Sequence, residues 1–111
     1  MSDSLTPQAL EIIAARFRVL SETIRLRIID LLRNGEMTVT ELTTAIATSQ
    51  PNVSKHLKIL SESGILRREQ RGNAVFYSIA DQNIFTLCEL ARDSLSTRLR
   101  GQVELFRTVK E

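Results

Sequence analysis

The stretch TVTELTTAIATSQPNVSKHLKILSE, residues 38–62, decides the fold. Thr38-Val39-Thr40-Glu41 is a capping-box pattern: the Thr38 hydroxyl can accept from the backbone three residues on, and Glu41 can reach back to the Thr38 N–H. A short helix over 39–46 follows, with Val39, Leu42 and Ile46 on one side. Ala47-Thr48 makes a turn. Ser49 can cap the next helix, and Pro51 is tolerated near its start because N–H groups there have no helical partner. Val53, Leu57 and Leu60 give a second apolar side, and Ser63-Gly64 ends the helix. Two short helices joined by a tight turn, over about 39–62, read as a helix-turn-helix.

Beyond this pair the period of the sequence changes. Ile65 to Gln70 and Ala74 to Ile79 flank Arg71-Gly72-Asn73, which reads as a β-hairpin, or wing, over about 65–79. Asp81 is expected to cap a last helix over about 82–107, interrupted by Gly101 at a cost of about 1 kcal/mol relative to alanine. On the N-terminal side, residues 1–6 read as a short tail and Thr6-Pro7 as a cap with proline in the first turn. A helix over about 8–20 carries Leu10, Ile13, Ala14, Phe17 and Leu20 at three- and four-residue steps. Ser21 is expected to cap a second helix, 22–33, with Ile24, Ile28, Leu31 and Leu32 inward and Asn34-Gly35 as its stop. The fold class is therefore mainly α with a small β-hairpin: four helices, a hairpin and a fifth helix in one winged helix-turn-helix domain spanning 1–111.

Composition bounds the function. A chain of 111 residues favours one core, which dimerisation often completes. The net charge is only +2, but it is unevenly placed. Residues 49–80 hold five basic groups against two acidic ones, whereas 1–48 hold five against six and 81–111 five against five. The middle third thus carries a modest footprint for a polyanion. One cysteine, Cys88, excludes an intramolecular disulfide. No apolar run reaches the roughly 18 residues that mark a membrane span. The start MSDSLTPQ lacks a basic region followed by an apolar one, so a cytoplasmic location and no membrane partner are expected. No Gly-rich phosphate loop, recognisable carboxylate pair or Cys-His pair suggests an enzyme.

Three motifs in order carry a family resemblance. Leu20-Ser21-Glu22-Thr23-Ile24-Arg25-Leu26-Arg27-Ile28-Ile29, then Ser49 to Leu60, then Gly64-Ile65-Leu66 with Arg71 to Ile79, resemble the second helix, recognition helix and wing of the ArsR/SmtB family of repressors. The resemblance covers about residues 10–100. It implies a homodimer on double-stranded operator DNA, each protomer placing one helix in the major groove, and repression released by an effector that remains to be identified. The family's Cys-Val-Cys metal motif corresponds to Thr38-Val39-Thr40 here, and threonine is a poor soft-metal ligand. Its other site, along the last helix, falls on Asp81, Asn83, Ser94 and Thr97, where Asp81 alone is a ligand type. The expectation is therefore no metal at the usual sites and no cofactor.

Sorted at about 100° per residue, the recognition helix turns Ser54, Lys55 and Lys58 away from its apolar side. Asn52 and His56 lie on the flanks, and Ser49 and Gln50 sit at the exposed N-terminal end. Gln50, Asn52 and Ser54 have the donors and acceptors to read base edges, whereas Lys55 and Lys58 suit phosphates. In the wing, Arg67, Arg71 and Asn73 are candidates, Arg71 foremost, since a tip arginine can enter a minor groove or meet a phosphate. Charges on edge strands that block aggregation are the alternative. His56 is read either as facing DNA or capping, or as a partly buried structural residue. Cys88, among Ile84, Leu87, Ala91 and Leu95, is a core or interface residue or a redox site. The last helix continues this stripe through Leu99, Val103 and Phe106. Together with Ile13 and Phe17 of the first helix, it gives expected dimerisation helices at about 8–20 and 82–107. A winged module that binds protein instead of DNA is the competing class, though such modules often lack a basic wing and a polar recognition face.

Overall fold

The computed structural model describes residues 4–99. The chain divides into two compact units after Asp81. The first unit begins with α1, Pro7–Val19, whose N-cap Thr6 accepts from the Ala9 N–H at 3.1 Å. Next comes α2, Thr23–Leu31, which runs into a 3₁₀ turn at Leu32–Asn34. Its N-cap is Glu22, with no side-chain capping bond. This corrects the expectation of a Ser21 cap: the Ser21 hydroxyl donates backwards to the Arg18 carbonyl at 2.7 Å and closes α1 instead.

The helix-turn-helix consists of α3, Val39–Ile46, and α4, Gln50–Glu62. Both bonds of the capping box are present: Glu41 N–H to Thr38 Oγ1 at 3.1 Å, and Thr38 N–H to Glu41 Oε1 at 2.8 Å. Ser49 Oγ accepts from the Asn52 N–H at 3.2 Å and caps α4. The far end of α4 closes with a Schellman motif, in which the Ile65 N–H reaches the Leu60 carbonyl and the Gly64 N–H the Ser61 carbonyl, each at 3.1 Å. Gly64 takes φ +83°, where a side chain would be strained.

Three antiparallel strands complete this unit: β1, Met37–Thr38; β2, Leu66–Arg71; and β3, Ala74–Ile79, in the order β1-β3-β2. The wing hairpin is the one read from the sequence. Strand β1 is an addition, paired Met37 to Tyr77 and Thr38 to Phe76. It is too short to show an alternating pattern. The core comprises Ile28, Ile29, Leu42, Val53, Leu57, Leu60 and Ile65, all fully buried. These come from α2, α3, α4 and the residue entering β2, so the core lies directly beneath α4. Full burial contributes about 1.5–3 kcal/mol for each aliphatic side chain of this size.

In contrast, α1 contains no buried residue. Leu10, Ile12, Ile13 and Phe17 are all exposed, Phe17 by 54%. In the second unit α5 is described over Asn83–Arg98. Its N-cap is Gln82, without a side-chain capping bond, which corrects the expected Asp81 cap. Ile84 is its buried residue, while Leu90 and Leu95 are exposed. The expected continuation through Gly101, Val103 and Phe106 lies outside the described residues.

The turn between α3 and α4 rests on an unusual backbone position. Ala47 has φ 62° and ψ 45°, the left-handed region, with its N–H on the Thr43 carbonyl at 3.0 Å. A side chain there costs about 1–2 kcal/mol, only part of which glycine's larger unfolded-state entropy cancels. Ala47→Gly should therefore stabilise the chain by about 0.5–1 kcal/mol, seen as a higher urea midpoint. A lower midpoint would mean that the alanine methyl makes contacts worth more than the strain.

Candidate nucleic-acid interface

The two sides of the sheet have different characters. Leu66, Arg68 and Gln70 pair with Ile79, Tyr77 and Val75, and the buried Leu66, Tyr77 and Ile79 mark this side as the core side. Strand alternation puts Arg67, Glu69 and Arg71 on the other side with Ser78, Phe76 and Ala74. Thr38 pairs with Phe76, so it lies on that side too, and Glu36, two residues earlier, follows it.

The N-terminus of α3, the N-terminus of α4 and the wing turn surround a hollow of about 250 Å³. Gln50 of the helix and Asn73 of the wing both line it, with Thr38, Val39 and Thr40 behind them. A candidate from the helix and a candidate from the wing thus share one concavity. Ser49, Ser54, Lys55 and Lys58 are exposed on α4, as is Arg67 on β2. Asn52 is half-buried, and its side-chain amide donates to Thr48 Oγ1 at 3.3 Å. That bond occupies one of its donors.

His56 requires a correction. Of its two readings, facing DNA or capping against partly buried and structural, the first is not what the fold shows, since it is 3% exposed. Its Nδ1 accepts from Arg25 Nε at 3.1 Å, and Arg25 Nη1 donates to the Val19 carbonyl at 3.1 Å. On the helical wheel His56 falls at the edge of the apolar arc, where Arg25 of α2 meets it. Burial lowers its pKa below the ordinary 6.5, and the charges of Lys55 and Arg25 push the same way against a weaker pull from Glu22. The neutral ring accepts a hydrogen bond from Arg25 and, through it, ties α4 to α2 and to the end of α1.

Arg71 is half-exposed at the wing tip and paired within the chain. Its Nη2 lies 2.6 Å from Glu36 Oε1, its Nε 3.8 Å from Glu69 Oε1, and its guanidinium 3.7 Å from the Phe76 ring centre. The Glu36 hydrogen bond raises its already high pKa, so the group remains cationic. Among the described residues no three His, Cys, Asp or Glu side chains gather in a metal-binding arrangement. Thr38 Oγ1 is engaged in the capping box, and Cys88 is half-buried on α5. No helix among the described residues is long and apolar enough to cross a membrane.

The model of the family described as bacterial regulatory protein, arsR family, matches residues 22–68. The uncharacterized HTH-type transcriptional regulator Rv0081 of Mycobacterium tuberculosis is 30% identical over 95 residues, which is 85% of this chain and 83% of that protein. Its crystal structure is similar with a TM-score of 0.77 at 31% identity, covering 89% of this chain and 99% of the other. The chain belongs to the ArsR family of bacterial regulatory proteins. The HTH-type transcriptional repressor SmtB of M. tuberculosis is 39% identical over 67 residues, 60% of this chain, and the chain spans 50% of that relative's length. The solution structure of the homodimeric winged helix-turn-helix DNA-binding domain of Mb0332 from Mycobacterium bovis shares the fold, with a TM-score of 0.74 at 24% identity over 100% of both chains.

In this ArsR-family chain the sequence reading missed Arg25 and Arg27. Arg27 Nη2 donates to the Ala45 carbonyl at 3.0 Å, near the end of α3. The available signal was two arginines flanking Leu26 in an otherwise apolar run, since a guanidinium there needs acceptors from neighbouring elements.

The His56 bond makes stability depend on pH. The unfolded chain takes up a proton near 6.5 and the folded chain resists it. The contribution is therefore complete above that value and is lost as pH falls through it toward the lower folded pKa. Urea midpoints measured on both sides of 6.5 should fall more for the native chain than for His56→Gln, which can accept the same bond without titrating. Parallel curves for the two proteins would contradict this assignment.

Proposed function

We propose that this ArsR-family protein is a homodimeric repressor that binds double-stranded operator DNA. The observation that carries the reading is the shared hollow, in which Gln50 at the start of α4 and Asn73 in the wing turn face one concavity. In the proposed complex α4 lies in the major groove. Gln50 and Ser54 read base edges, with Ser49 and Asn52 beside them at the helix start. Lys55, Lys58 and Arg67 hold phosphates, and Arg71 and Asn73 engage the flanking backbone or minor groove. His56 supports α4 from beneath and touches no DNA.

The exposed apolar side of α1 supports the dimer. Leu10, Ile13 and Phe17 lie on one stripe of a helix with no buried residue, and a second copy offers the same stripe in return. The related M. bovis domain is itself homodimeric. In the proposed cycle an effector releases the DNA by binding one form of the dimer more tightly. Moving a population from 99:1 to 1:99 takes about 5.5 kcal/mol of such preference. Thr38 and Thr40 supply no thiolate for a metal effector. Cys88 and small molecules remain the sources to test.

Gln50→Ala and Ser54→Ala should weaken a selected operator more than random duplex, by about 1–3 kcal/mol for one good base contact. Lys55→Ala should weaken both and flatten the salt dependence. Equal losses on every sequence from all three substitutions, read by fluorescence anisotropy, would overturn the division between reading and anchoring.

Phe17→Glu should convert the dimer to monomer in sedimentation velocity while leaving the helical circular dichroism intact. Its operator affinity should fall steeply, because the two half-sites are then bound independently. A native chain that sediments as a monomer would remove the basis of the dimer.

A further inference from the structure

We infer that Glu36 is a built-in stand-in for a DNA phosphate at the wing: it holds Arg71 in the free protein and sets how strongly the wing grips duplex. This rests on the DNA-binding reading above. The pairing of β1 with β3 puts Glu36 on the same side of the sheet as Phe76 and Arg71. That register is fixed by Thr38, which is paired to Phe76 and simultaneously caps α3. Glu36 thus enters the sheet beside the wing, one residue before β1, and its carboxylate oxygen meets Arg71 Nη2 at 2.6 Å.

A carboxylate and a phosphate offer a guanidinium the same thing, charged acceptor oxygens arranged for its planar fork. Phe76 supports the plane of that fork at 3.7 Å and leaves its nitrogen-bearing edge for the anion. Both members of the ion pair are about half-exposed, 44% for Arg71 and 46% for Glu36, so duplex can reach the pair and the pair can open. Binding by Arg71 is then an exchange of one anion for another. The wing gains less from DNA than a free arginine would, and every duplex must displace the same carboxylate. Glu69, at 3.8 Å, is placed to retain part of the cation's pairing but not to replace the closer contact.

The test is a double-mutant cycle on the full chain. Native protein, Glu36→Gln, Arg71→Ala and the double variant are titrated with a random-sequence duplex and with a duplex selected from a random pool, across a salt series. Glu36→Gln should bind both duplexes about two- to fivefold more tightly at low salt, the range expected for freeing one exposed ion pair. The gain should fade as salt rises and largely vanish in the Arg71→Ala background. Unchanged binding by Glu36→Gln would show that Glu36 does not compete with DNA for Arg71, and weaker binding that it orients Arg71 instead; either overturns the inference. A gain of the same size without Arg71 would show that only the net charge matters, and would also overturn the inference. Native protein that binds neither duplex would remove the DNA-binding reading itself, a failure distinct from the other two.

Discussion

One residue, Thr38, belongs to two structures at once, and the arrangement of the first unit depends on it. Its backbone continues the short strand beside Phe76, while its hydroxyl and N–H complete the capping box of α3. A strand residue and an N-cap share extended backbone angles, and Thr38 at φ −82° and ψ 163° satisfies both. The sheet is thereby joined to the helix-turn-helix with no intervening loop. The hollow that brings Gln50 and Asn73 together follows from that join, as does the delivery of Glu36 to the wing tip. A cap is typically worth about 1 kcal/mol, yet here its geometric effect exceeds its energetic one.

The support under α4 is polar as well as apolar. Val53, Leu57 and Leu60 fill the core, but a smooth apolar stripe leaves a helix some freedom to slide or rotate. Arg25 removes some of that freedom by joining the ring of His56 to the end of α1. Arg27 does the same for the end of α3 through the Ala45 carbonyl. Hydrogen bonds from a charged donor contribute about 1.5–3 kcal/mol each when well made. Directional bonds of this kind define an orientation that packing alone leaves soft.

Much of this was legible in the sequence because the signals are local. The Thr6, Thr38 and Ser49 caps, the Gly64 helix stop and the wing turn each reside within a few residues, and the core of α3 and α4 follows from helical spacing. Two of the failures come from contacts distant along the chain. His56 sits where a helical wheel leaves its burial undecided, and α2 decides it. Strand β1 has two residues and therefore no period, so only its partner β3 reveals it. Ser21 and Asp81 are both good capping types beside a helix start, but neighbouring residues took the position in each case. The uncovered side of α1 was visible as spacing, whereas its exposure needed the coordinates. Of the candidate interface, the exposure of Gln50, Ser54, Lys55 and Lys58 was readable. The Arg71–Glu36 pair was not, since its partners lie 35 positions apart.

The close of α4 carries a mechanical consequence. Its Schellman motif ends at Ile65, whose side chain is fully buried and whose carbonyl accepts from the Ala80 N–H at 2.9 Å, just past the end of β3. α4 and both legs of the wing are therefore joined at one residue, Ile65. Helix and wing can then be compared to the two jaws of a caliper joined at that residue. In the proposed complex such a gauge responds to the width and curvature of the duplex between its jaws, so stiff or misfitting steps are disfavoured even where no side chain touches a base. Part of the operator's information would then reside in the elasticity of DNA, and a sequence logo would show preferences at positions the protein never contacts.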